Sequence, residues 1–229
     1  MSGVLTVARK EIRQVLGTKG SLIAAIFFAI WFGGLSAPAL AAGGNSLDMS
    51  VFYLGLVLGV FISYLLSGQV FLREKQEGII ETLLCTPLGI REIWLGKVIG
   101  VVIPAYCISL FGVAVLTGIA NHLSGELLLP SAPVAIHLVA GVPLVMASAV
   151  GIIGFIQFLF GMREIAIINL VIFAGLFFLL FMMQAVLESG LGVSWAEVGF
   201  ILVAGVLLLA GTDRLARRLD KEKIVRTIP

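Results

Sequence analysis

The stretch REKQEGIIETLLCTPLGIREIWLGK, residues 73–97, separates two runs that carry no charged residue, 50–72 and 98–120. Each flanking run is long enough to cross the ~30 Å hydrocarbon core of a bilayer, which takes roughly 20 helical residues. The stretch between them holds four of the thirteen acidic and four of the fifteen basic residues. It belongs in water or at a protein contact, while its neighbours belong in lipid.

Outward from this island, charge-free runs recur at 21–42, 134–160 and 165–187, and a shorter one at 198–212. The last reaches spanning length when residues 191–197 join it, with Trp195 as an interfacial anchor. A chain that is 60% hydrophobic and 12% charged, with a mean hydropathy of +1.14, has too little charge for a soluble surface. In lipid the backbone must satisfy its own hydrogen bonds, which points to helices. The expectation is an all-α integral membrane protein with six transmembrane helices over residues 21–212, an N-terminal interfacial helix within 1–20, a cytoplasmic hairpin at 73–97 and a basic cytoplasmic tail at 213–229.

Basic residues set orientation, because Lys and Arg are retained on the cytoplasmic side of short loops. Arg9, Lys10, Arg13 and Lys19 precede span one, and Arg73, Lys75, Arg91 and Lys97 lie between spans two and three. Arg163 lies between four and five, and the remaining six, Arg214 to Arg226, follow span six. All fifteen therefore share one side, whereas the opposite loops carry only Asp48, Glu126, Glu188 and Glu197. Both termini and the 73–97 stretch are expected in the cytoplasm of a plasma-membrane protein. The net charge of +2 divides into +6 inside (fifteen basic, nine acidic) and −4 outside, and does not point to nucleic acid.

Ala39-Leu40-Ala41 after an apolar run resembles a signal-peptidase site. Against cleavage, the basic region before that run is about twenty residues long, and the 22-residue run exceeds the 7–15 of a signal peptide's apolar region. Helical spacing places Leu5, Ala8, Ile12, Val15 and Leu16 on one face and Arg9, Lys10, Arg13 and Gln14 on another. This is the pattern of a helix lying in the interface, its basic side chains reaching lipid headgroups. A merely solvated start to span one is the alternative. The tail after Thr212, with six basic and three acidic residues, is expected to be drawn to anionic lipid.

No Asp, Glu, Lys or Arg falls inside the six runs. Intramembrane charges commonly mark ion paths and proton relays, so ion-coupled transport is disfavoured. His137, near the outer start of span four, reads as structural. There is no G-x-x-x-x-G-K-[ST] and no H-E-x-x-H, and Gly96-Lys97 is followed by Val98 where a nucleotide-binding loop needs a hydroxyl. Cys85 and Cys107 have no metal-ligand spacing and read as packing residues.

Within 73–97, Glu74, Glu77 and Glu81 recur at helical spacing, with Ile80, Leu83 and Leu84 on another face. Pro87 and Gly89 then break the chain, and a second helical pattern from Ile90 runs into span three. Such a hairpin offers an acidic and an apolar ridge to a cytoplasmic partner; equally, the apolar residues could dip into lipid.

The array Glu74-x-x-Glu77-Gly78-x-x-Glu81-x-Leu83-Leu84-x-x-Pro87, followed by Ile93 and Leu95-Gly96-Lys97, resembles the signature between spans two and three of type-2 ATP-binding-cassette (ABC) exporter permeases. The basic N-terminal helix with its Lys10-Glu11 pair resembles the connecting helix of the same family. Ile79, where many relatives have Thr, and the short stretch between spans five and six are departures from the pattern. The resemblance implies that this chain pairs with a second permease chain, as a homodimer or heterodimer, and binds no cofactor. ATP and Mg would be held by a separate ATPase subunit docked on Glu74, Glu77, Gly78, Glu81, Leu83, Leu84 and Pro87, which form its coupling helix.

Two faces complete the set of candidate residues. Gly55, Gly59, Ser63 and Ser67 form a stripe of small side chains along span two, which with Gln69 is read either as a protomer interface lining the path or as packing within the chain. On span five, Asn169, Phe173, Phe177 and Gln184 approximate another face of the path. The functional expectation is an exporter permease, embedded among membrane lipids, with no catalysis of its own. A membrane scaffold recruiting a different cytoplasmic partner is the alternative, and a membrane enzyme is disfavoured by the lack of clustered acids, bases or metal ligands.

Overall fold

A computed structural model describes residues 2–41, 47–125, 127–187 and 193–217. All regular structure in these residues is helical: α1 (Ser2–Gly17), α2 (Lys19–Ala41), α3 (Leu47–Ser67), α4 (Arg73–Gln76), α5 (Ile79–Leu84), α6 (Ile90–Ser124), α7 (Ala132–Ile136), α8 (Val142–Leu159), α9 (Met162–Leu187) and α10 (Trp195–Ala216). Five-residue π-helical turns join α3 to α4 (Gly68–Leu72) and α7 to α8 (His137–Gly141), so each pair forms one continuous rod. Six helices in the described residues are long and apolar enough to cross a membrane: α2, Leu47–Gln76, α6, Ala132–Leu159, α9 and α10. They coincide with the six charge-free runs.

The rods overrun those runs at the end that carries the 73–97 stretch, and this changes one reading. Helix α6 begins at Ile90 and the α3–α4 rod ends at Gln76, so Glu74, Lys75 and Lys97 lie within helices of spanning length. All three are fully buried in protein. The absence of charge from the spans holds for the apolar runs but not for the helices that contain them. The sixth helix also gains its length differently from expectation, starting at Trp195 and continuing past Thr212 to Ala216.

Helix α3 is the centre of the bundle and packs against α2, α6, α8 and α9, while α9 and α10 are the most exposed rods. The reason is side-chain size on α3. A Cβ at Gly55 would lie 2.7 Å from Leu138, and one at Gly59 3.0 Å from the Met146 sulfur and 3.2 Å from Val142. Ser109 on α6 donates to the Gly55 carbonyl at 3.2 Å. The small stripe is thus filled by the chain's own spans three and four, and Ser63 and Ser67 are buried with it. Of the two readings of Gly55, Gly59, Ser63 and Ser67, the contacts within the chain are those of internal packing: small residues allow close helix approach, and the neighbours of Gly55 and Gly59 are internal.

At the opposite end of the bundle, the Asp48 carboxylate accepts from the Ser131 backbone at 2.7 Å. His137 is buried against Phe52, ring centroids 4.1 Å apart. The cysteines do not pack: Cys85 and Cys107 are both exposed. Cys107 shares the outward face of α6 with Ile103 and Phe111, and an apolar outer face in a membrane helix looks in sequence like a core face.

Candidate functional site

Helix α1 lies across the start of α6. Gly96 and Gly100, one turn apart, leave the room: a Cβ at Gly96 would sit 2.6 Å from that of Val7, and one at Gly100 2.4 Å from that of Glu11. The face of α1 that enters this contact is Val7, Ala8, Glu11 and Val15. Leu5 and Leu16, expected on the apolar face, are exposed. The helix is rotated from its hydrophobic pattern because a charged residue sits at the centre of its buried side.

That residue meets a compensating charge. The Lys97 ammonium donates to Glu11 Oε1 at 3.0 Å, to the Val70 carbonyl at 3.0 Å and to Glu74 Oε2. Three acceptors use all three of its N–H donors. Lys10 donates to the other Glu74 oxygen and to Glu11 at 3.3 Å. Two carboxylates and two ammoniums thus form a neutral cluster joining α1, α4 and α6, with the Phe71 ring 5.6 Å from the Lys97 nitrogen. Glu11, Glu74 and Lys97 are wholly buried and Lys10 is partly exposed. Burial alone pulls the Lys10 ammonium down, but hydrogen bonding and attraction to Glu74 and Glu11 outweigh it, so its pKa lies above the ordinary lysine value.

Next to this cluster Lys75 donates to the carbonyls of Gln157 at 3.0 Å and Phe160 at 2.6 Å. A cation at the last carbonyls of a helix satisfies groups that have no partner inside the helix and opposes its dipole. Lys75 therefore fastens α4 to the end of α8. At α6, Arg91 pairs with Asp213 of α10 at 2.7 Å, and the Trp94 indole donates to Gly151 of α8 at 3.3 Å. The ends of four spans on one side of the bundle are cross-linked through one short region of sequence.

The acidic ridge expected on a single helix is divided. Glu74 is inside the cluster, whereas Glu77 is on the surface and pairs with Arg73 at 2.7 Å. Between α4 and α5 the backbone turns at Gly78, whose φ of +69° lies in the left-handed region that other residues enter only with strain. Beyond the turn, Ile80 joins the core while Ile79, Thr82, Cys85 and Pro87 are exposed and Leu83 is half-buried. A tight turn at Thr86 follows, its hydroxyl donating to the Leu83 carbonyl at 2.6 Å, and Glu92 receives the Gly89 N–H at 3.1 Å as α6 begins. The surface this offers is Glu77, Ile79, Thr82, Cys85 and Pro87. Glu74 has no part in it, because its carboxylate is already consumed by Lys97 and Lys10. The side chains of Glu81 and Leu84 lie outside the described residues.

On the membrane side, Asn169, Phe173 and Phe177 of α9 turn toward α3. The Tyr64 hydroxyl donates to the Asn169 carbonyl at 2.7 Å, and the Gln157 amide approaches Asn169 Oδ1 at 3.5 Å. Phe173 and Phe177 stack on each other at 5.7 Å and lean on Phe61, at 6.0 and 6.4 Å. A cleft of about 220 Å³ opens among Tyr64, Gly68, Leu72, Gln157, Asn169 and Phe173. Gln157, buried with its side-chain Oε1 lacking a hydrogen-bond partner, was not singled out from sequence. Its place is set by the pairing of α8 with α3, which no local pattern reveals. The Gln69 and Gln184 side chains lie outside the described residues, as do residues 188–192 between spans five and six. Among the described residues no three His, Cys, Asp or Glu gather as a metal site.

Glu11 and Lys97 were legible only as a member of a Lys-Glu pair and as a loop cation. The usable signal was Gly96-Lys97-x-x-Gly100: two small residues that admit a helix, with a cation between them. A search of curated proteins finds no match. The family model described as "ABC-2 family transporter protein" matches residues 21–211, all six spanning helices. With the bundle and its charged linkages in view, the chain belongs to the ABC-2 transporter permease family.

Proposed function

We propose that this chain is the membrane-spanning subunit of an ABC exporter, driven by a separate ATPase subunit that docks on the exposed segment from Glu77 to Pro87. The observation that carries the reading is the family match over residues 21–211, joined to an exposed turn built directly onto the cross-linked ends of four spans. A push on α5 passes through Gly78 to α4, and from α4 through Glu74 and Lys75 to α1, α6 and α8. Buried ion pairs suit this task because their geometry is narrow and their rupture costly. In this reading the chain sits in the plasma membrane with both termini in the cytoplasm, and residues 1–20, 73–97 and 213–229 lie on that side of the 21–212 bundle. A second permease chain packs against the outward face of α9, where Ile167, Leu170, Val171, Phe178 and Leu179 are exposed. Cargo of hydrophobic or amphiphilic character passes beside the Tyr64–Gln157–Asn169 cleft. ATP and Mg are bound by the partner.

The test is co-purification from a mild detergent. An ATPase subunit is expected with the wild-type chain, and its yield should fall in Glu77→Lys and Glu81→Lys. Recovery of a non-ATPase partner, with no nucleotide-dependent activity, would instead favour a membrane scaffold. Undiminished association and coupling in both variants would remove the docking role of this segment.

A further inference from the structure

Helix α1 has a second cationic edge, which the buried cluster does not use. Arg9 and Arg13, one turn apart, are exposed, and among the described residues neither makes an ion pair with Asp or Glu. Their neighbour Lys10 is paired with Glu74 and Glu11. Beside the two arginines runs a groove of about 390 Å³ between α1 and α6, with Leu5, Ile12, Ile99 and Ile103 among its lining residues. Leu5 and Ile103 are exposed apolar side chains. Ile103 faces outward from a membrane-spanning helix, four residues from Ile99 on the same side.

We infer that this groove is a binding site for one anionic phospholipid, with an acyl chain along Ile12, Ile99 and Ile103 and the phosphate held by Arg9 and Arg13. The charge and the apolar surface are complementary to a single amphiphile: two guanidiniums can each donate two N–H groups to phosphate oxygens, and the groove between them is otherwise apolar. Electroneutrality argues the same way. The buried cluster of two lysines and two glutamates balances its own charge and makes no ion pair with Arg9 or Arg13, so an external anion completes the edge. The lipid would also bridge α1 to α6 on the side opposite Glu11, making lipid composition a regulator of how firmly α1 is held. This rests on the proposed cytoplasmic placement of α1, but it is read by lipid retention and so can fail independently of ATPase docking.

The experiment is native mass spectrometry of the full-length chain, delipidated in detergent and titrated with phosphatidylglycerol or phosphatidylcholine of identical acyl chains. Wild type should prefer phosphatidylglycerol by roughly fivefold for each guanidinium. Arg9→Gln/Arg13→Gln should bring the two lipids near parity, and Arg9→Lys/Arg13→Lys, which keeps charge without the fork, should lie between. Ile103→Trp, which fills the groove, should weaken both lipids. Inorganic phosphate at matched concentration should not compete, because it lacks the chain. An unchanged preference in the double Gln variant, unchanged binding in Ile103→Trp, or displacement by inorganic phosphate would overturn the site. A photoreactive residue at position 103 should cross-link to lipid; cross-linking to a second copy of the chain would overturn it as well.

Discussion

Lys97 of α6 and Glu11 of α1 form a fully buried ion pair at 3.0 Å although 86 residues separate them in the chain. Each is neutralised only by the fold, and the same ammonium also holds Glu74 and the carbonyl of Val70. Lys97→Met would leave two buried carboxylates, Glu11 and Glu74, with only the partly exposed Lys10 to share. Breaking a buried pair by removing one partner costs about 3–5 kcal/mol. A large drop in the thermal midpoint of the detergent-solubilised chain is expected, with partial recovery in Lys97→Met/Glu11→Gln, which removes charge from both partners. Equal stability of single and double variants would show that the pair does not bind α1 to α6.

Two glycines of the same helix should respond in opposite directions. At Gly100 an added methyl would meet the Glu11 side chain at 2.4 Å, whereas at Gly118 it meets nothing within 4 Å. Gly100→Ala should destabilise by about 1–3 kcal/mol through forced separation of α1. Gly118→Ala should stabilise by up to about 1 kcal/mol through helix propensity. Thermal midpoints of the two variants, measured side by side, check the sign.

Glu74 and Glu77 are three residues apart and should behave as different kinds of residue. Glu77→Lys changes a surface side chain, so stability should move by no more than about 0.5 kcal/mol, while recovery of the ATPase subunit falls. Glu74→Gln should lower stability because Lys97 and Lys10 lose a shared anion, and any loss of ATPase association should follow from misfolding. Measuring unfolding and co-purification on both variants separates the two roles.

Lys75 should be replaceable only at a cost. Lys75→Met removes the donor to Gln157 and Phe160 and leaves two carbonyls at the end of α8 without it. Hydrogen bonds from a charged group contribute about 1.5–3 kcal/mol. Faster hydrogen exchange at the start of α9 and the end of α8, with little change in α2, is the expected signature.

The two exposed cysteines test orientation directly. Cys85, in the turn after α5, should react with a membrane-impermeant maleimide only from the cytoplasmic side. Cys107, on the outward face of α6 within a spanning helix, should resist that reagent from both sides and react with a lipid-soluble one. Labelling of Cys85 from outside intact cells would reverse the proposed topology.

Six spans were legible from sequence because spanning a bilayer is a property of consecutive residues: length and absence of charge suffice, and each charge-free run became one helix. The break at Pro87 and Gly89 and the restart at Ile90 were equally local, since they depend on backbone preferences of single residues. The left-handed turn at Gly78 instead interrupts a helix that the spacing of Glu74, Glu77 and Glu81 carried through it. Ile80 was placed on an apolar face and is buried, but the expected acidic ridge did not survive, because helical spacing cannot say that Glu74 meets Lys97 while Glu77 meets water. The stripe from Gly55 to Ser67 was visible as a stripe, and its partner was not: in lipid, a surface that packs on another span and one that packs on another chain have the same composition. By itself the sequence determined where the chain crosses the membrane and where it turns, which are consequences of local hydropathy and backbone geometry. Only the tertiary structure decided which charges are internal, because the cost of burying Lys97 is offset by groups supplied from three separate helical segments.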